Sequence, residues 1–124
     1  MTEPSLARLL KRLRAATGRD KALDRAIARG LEAGGHRTPA PDYTASVDAC
    51  LALLHRVLPG WHWHVGYGPR GILPYAVVDK GERRHEATAP TVPLALLTAL
   101  VEARAALDPE GEGRDQWQTR EEAP

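Results

Sequence analysis

Trp61-His62-Trp63-His64-Val65-Gly66-Tyr67 alternates residue by residue. Successive side chains of an extended strand point to opposite faces. Trp61, Trp63, Val65 and Tyr67 therefore share one face, and His62, His64 and Gly66 the other. The chain contains three Trp, three Tyr and no Phe, so half of its aromatic residues line one side of this segment. The pattern predicts a strand whose aromatic face turns inward, with Trp61 and Trp63 in the core and the fold organised around them.

On the C-terminal side, Gly68-Pro69-Arg70-Gly71 reads as a turn and residues 73–79 as a second strand. Asp79-Lys80-Gly81-Glu82 is a second tight connection, and residues 83–88 form a short third strand. Connections of hairpin length favour antiparallel pairing. On the N-terminal side, Ser5 caps a helix with Leu6, Leu9, Leu10 and Leu13 at helical spacing, ended by Gly18. Asp20 caps a second, with Leu23, Ala26, Ile27 and Leu31 on one side. Residues 33–42 hold two Gly and two Pro and read as a loop. Thr44 caps a third helix carrying Val47, Cys50, Leu51, Leu54 and Leu58, stopped by Pro59-Gly60. Thr91 caps the last, with Pro93 in its first turn. Leu94, Leu96, Leu97, Leu100 and Val101 make that helix apolar nearly all round, which predicts the most buried element.

The order helix, helix, helix, strand, strand, strand, helix predicts an α/β (α+β) fold. Its form is a three-stranded antiparallel meander covered by helices, an α/β/α sandwich. Residues 1–107 are expected to form one domain. Residues 108–124 carry two Arg against six Asp or Glu and little apolar surface besides Trp117, so an acidic, disordered tail is expected there.

Net charge is +1, which singles out no partner class. Cys50 is the only cysteine, excluding an internal disulfide and a Cys-based zinc site, and its apolar helical setting reads as a small buried hydrophobe. No apolar run approaches the roughly 20 residues of a membrane span, and a charged amphipathic segment follows Met1–Pro4 at once, so a cytoplasmic location is expected.

Four segments carry a resemblance. They are Arg19-Asp20-Lys21-Ala22-Leu23-Asp24-Arg25-Ala26-Ile27-Ala28, Pro41-Asp42-Tyr43-Thr44-Ala45-Ser46-Val47-Asp48-Ala49-Cys50, Gly60-Trp61-His62-Trp63, and Ala87-Thr88-Ala89-Pro90 running into the Leu-rich helix. In this order, across about residues 10–105, they resemble the phage ABA (α/β/α) sandwich domain family of small phage and prophage proteins. The resemblance implies fold and phage context, and it brings no catalytic residues with it. The loop at residues 33–41 departs from the family pattern in lacking its Gly-Trp element.

Three constellations remain. His62 and His64 share a face, and with His85 as a third ligand they would make a metal site for a hydrolase. A fixed third ligand is not evident in the spacing, so metal is disfavoured and no cofactor is expected. Gly66-Tyr67-Gly68-Pro69-Arg70-Gly71 spells the dinucleotide fingerprint, but a strand rather than a helix follows. Arg70 at the hairpin tip, flanked by Tyr67 and Tyr75, is the remaining candidate for a nucleotide-like ligand. Arg8, Lys11, Arg12, Arg14, Arg19, Lys21, Arg25 and Arg29 make the first two helices basic, the pattern of phosphate contact. The balanced overall charge disfavours nucleic acid, and the leucine stripe beside them suits core or homo-oligomer contact. The expectation is a phage- or prophage-type accessory protein acting as a non-catalytic binding module for a host protein or small nucleotide-like ligand. A His-x-His metal-dependent hydrolase and a nucleic-acid-associated protein are the alternatives.

Overall fold

The computed structural model describes residues 5–31, 39–68 and 73–107. Its elements run α1 (Leu6–Ala15), α2 (Lys21–Leu31), a 3-10 turn (Tyr43–Ala45), α3 (Val47–Val57), β1 (His62–Tyr67), β2 (Pro74–Lys80), β3 (Arg83–Thr88) and α4 (Val92–Leu107). The expected acidic tail, the hairpin tip with Arg70 and most of the loop after α2 lie outside the described residues.

The strands form one antiparallel sheet in the order β1-β2-β3. The β2–β3 hairpin closes at the pair Lys80 and Arg83, leaving Gly81 and Glu82 as the loop. Gly81 has φ 63° there, a conformation a Cβ disfavours. One face of the sheet presents Val65, Ala76, Val78, Ala87 and, just past β3, Ala89 to the core. α4 lies across this face, mainly over β2 and β3 and only slightly over β1. Leu94 to Val101 are buried without interruption, as the all-round apolar sequence requires. α1, α3 and the 3-10 turn pack on α4, and α2 joins the stack through α1 and the 3-10 turn.

The meander covered by helices is thus the architecture. The layer order is sheet, then α4, then the other helices. Among the described residues, no helix lies on the second face of the sheet.

Caps follow local chemistry. Ser5 Oγ accepts from the Arg8 amide at 3.1 Å, Asp20 Oδ1 from Leu23 at 3.0 Å and Thr91 Oγ1 from Leu94 at 3.3 Å. At α3 the cap is Ser46, whose Oγ accepts from the Ala49 amide at 3.1 Å. Thr44, two residues earlier, is buried in the 3-10 turn. Its hydroxyl accepts from the Asp20 amide at 2.8 Å, and its own amide donates to Asp24 Oδ1 at 2.7 Å. The start of α2 is tied in this way to the approach to α3.

Trp61 is 7% exposed and packs in the core, but it precedes β1 rather than belonging to it. Trp63 departs from the sequence expectation. It points to the helix side, as the alternation requires, yet it is 42% exposed. β1 is an edge strand, and α4 scarcely reaches it. The two tryptophans should therefore differ in urea unfolding. Trp61→Ala is expected to cost about 3–5 kcal/mol, and Trp63→Ala less than about 1.5 kcal/mol. Equal losses would mean that Trp63 is as well packed as Trp61.

Candidate functional site

The register fixes which side chains share the open face of the sheet. His62 lies opposite Asp79, and Asp79 opposite Arg84. His64 lies opposite Val77, and Val77 opposite Glu86. Gly66 lies opposite Tyr75, and Tyr75 opposite Thr88. Partners in an antiparallel pair point to the same face. These rows therefore form a polar surface floored by Val77, with a shallow open depression of about 330 Å³ among His64, Tyr75, Val77, Asp79, Arg84 and Glu86.

Most of its polar groups are engaged with one another. His62 Nδ1 lies 3.5 Å from Asp79 Oδ1, and Arg84 Nη2 donates to Glu86 Oε1 at 3.2 Å. His64 Nε2 and the Tyr75 hydroxyl are 2.7 Å apart, with the two rings nearly parallel and their centroids 5.5 Å apart. Gly66 makes this possible. A Cβ there would stand 3.2–3.3 Å from the hydroxyl end of Tyr75, so the ring lies across the glycine to reach His64.

The three histidines considered as metal ligands do not converge. His62 and His64 sit on the open face. His85 lies opposite Val78, a core residue, and so occupies the helix side of β3. Among the described residues, no three His, Cys, Asp or Glu side chains come together as a metal-binding group. The aromatic pair expected to flank a nucleotide is also divided. Tyr75 is on the open face, whereas Tyr67 is opposite Pro74 on the helix side and 59% exposed. Arg70, the third member, lies outside the described residues.

Sequence reasoning placed β1's aromatic face in the core, and its exposure is the feature it missed. Trp63 and Tyr67 stand on the helix side of β1 beyond the cover of α4, and Leu73, just before β2, is exposed as well. The opposite edge, β3, carries the exposed charges Arg83, Arg84 and Glu86, which discourage strand addition. Among the described residues, β1 has no Lys, Arg, Asp, Glu or Pro to do the same.

The basic helices are largely solvated. Arg14 pairs with Glu102 of α4 at 2.7 Å, and Arg19 and Lys21 approach Asp42 at 3.5 and 3.6 Å. Arg8, Lys11, Arg25 and Arg29 are exposed. No described helix is long and apolar enough to cross a membrane.

Cys50 is buried, and its thiol donates to the Tyr43 carbonyl at 3.1 Å. Burial, and then the Asp24 carboxylate, push the thiol up from 9.0 to about 12. It is therefore a poor nucleophile. Comparison with models of protein families, with curated proteins and with solved structures finds no match.

Two outcomes follow from this geometry. Gly66→Ala should turn the Tyr75 ring aside at a cost of less than about 1 kcal/mol, since the ring can move into solvent. The His64 imidazole signals in an NMR spectrum should then move to those of a Tyr75→Phe variant, and unchanged signals would place the ring elsewhere. Cys50 should resist iodoacetamide at pH 8 in the native protein and react in urea. The unfolded thiol ionises before the folded one, so its contribution to stability falls as pH rises from 9.0 toward about 12.

Proposed function

We propose that this chain is a non-catalytic binding module of phage or prophage type that docks a host protein along β1. The observation that carries the reading is the exposure of Trp63 and Tyr67 on an edge strand that no described residue guards. Interface hot spots are enriched in Trp and Tyr, and a bare strand edge offers main-chain hydrogen bonds to an extended segment. The charges in the depression on the open face already face partners of the chain itself, which favours a protein over a nucleotide-like ligand. The resemblance of the four segments to the phage ABA sandwich family supports the phage context, and cytoplasmic placement is part of the same proposal.

The experiment compares wild type with the double variant Trp63→Ser/Tyr67→Ser as affinity baits in host-cell lysate, with captured proteins identified by mass spectrometry. Both side chains are substantially exposed, so melting should change by only a few degrees. Wild type should retain a defined partner in near-stoichiometric amount, and the variant should lose it. Equal retention by both would move the docking surface away from β1. Stabilisation of both forms by a nucleotide, without any protein captured, would replace the reading with ligand binding.

A further inference from the structure

A second recess lies at the end of the sheet where α3 stops and α4 finishes. Its walls are Val57, Leu58, Pro59, Trp61 and Leu107, and its volume is about 480 Å³. Lys80 and Arg83 stand at its rim. Their position in the register makes them unusual. Continuing the pairing of β1 with β2 sets Trp61 across from Lys80, and Lys80 pairs with Arg83. These positions have the same parity as Val78 and Ala76, so the core-facing side of the sheet changes from Ala and Val to Lys and Arg at this mouth.

Lys80 and Arg83 are both exposed, and neither makes an ion pair or side-chain hydrogen bond among the described residues. The ammonium end of Lys80 lies over Gly60, 3.4 Å from where a Cβ would stand. Gly60 has φ 86° and so is suited to stay a glycine. The recess therefore joins an apolar lining to two adjacent positive charges that no described residue pairs.

We propose that this recess binds a small amphipathic carboxylate, its apolar body against Trp61, Leu58 and Leu107 and its carboxylate on Arg83 and Lys80. The volume is on the scale of small-ligand sites. A guanidinium takes a carboxylate in a two-point contact, and an ammonium beside it adds a further charge-assisted hydrogen bond. An uncharged ligand of the same shape would fill the interior and leave the rim unanswered. This site is independent of protein docking along β1, since neither Trp63 nor Tyr67 lines it.

The probe is octanoate, with octanamide as its uncharged counterpart, titrated into the full-length chain by calorimetry and by Trp fluorescence. Octanoate should bind saturably at one site and about tenfold more tightly than octanamide. Lys80→Gln/Arg83→Gln should erase that difference with melting unchanged, because both side chains are exposed. Equal binding of the two probes would overturn the proposal in favour of a merely apolar recess. Saturable octanoate binding that survives the double variant, or no saturable binding at all, would overturn it outright.

Discussion

The constraint on which the rest of the structure depends is the need to bury α4 on every side. Leu94 through Val101 offer no polar stripe to water. A helix of that composition is stable in water only when other elements surround it. The sheet takes one side of it, and α1, α3 and the 3-10 turn take the other. Thr98, the polar residue within this run, returns its hydroxyl to the Leu94 carbonyl at 2.7 Å and leaves no donor unsatisfied. Once one helix has been enclosed, the opposite face of the sheet is left to polar residues. A single helix roughly 10 Å across also cannot cover three strands spaced about 4.8 Å apart. It sits over β2 and β3, and β1 extends past it with its aromatic side chains uncovered.

A smaller polar junction fixes how the N-terminal helices join this core. Tyr43 is wholly buried, and its hydroxyl accepts from Arg56 at 3.2 Å. Thr44 accepts from the Asp20 amide and donates its own amide to Asp24, which holds α2 against the 3-10 turn, and the Cys50 thiol donates to the Tyr43 carbonyl. Asp24 is nearly inaccessible, and its second carboxylate oxygen has no protein partner among the described residues. A buried acid half-satisfied in this way must be held by its surroundings. Two sequence segments quoted for the phage-family resemblance, residues 19–28 and 41–50, meet at this junction. Their residue choices there are accounted for by folding alone.

The elements were legible because each is announced by local chemistry. Ser5, Asp20 and Thr91 act as caps in the way their side chains allow, and the short Gly-containing connection after Lys80 closes a hairpin. Thr44 was misleading because an accepting hydroxyl can serve a cap or a distant amide, and only the tertiary fold puts the Asp20 amide within its reach. The alternation at 61–67 correctly assigned faces. It could not show lateral position, and a core-facing residue on an edge strand is covered only if a helix extends that far. His85 is a different case. A two-residue loop between Lys80 and Arg83 pairs Val78 with His85, which already puts His85 on the opposite side of the sheet from His64. The same parity separates Tyr67 from Tyr75. The recess walled by Trp61 and Leu107 was hidden because its residues come from three separated segments.

Binding is favoured where a partner supplies what the fold leaves unmet, and disfavoured where it must first break an internal contact. On the open face, His62 meets Asp79, Arg84 meets Glu86, and His64 meets Tyr75. A ligand arriving there has to outcompete contacts already made. Among the described residues, β1 presents exposed aromatic surface and a strand edge without a neighbour, while Lys80 and Arg83 present charge without an opposite. The chain therefore directs recognition toward two places set by the reach of α4: the strand it does not cover and the sheet end beside its last residue, Leu107. The polar face looks the more elaborate of the surfaces, yet its mutual pairing makes it the least demanding of a partner.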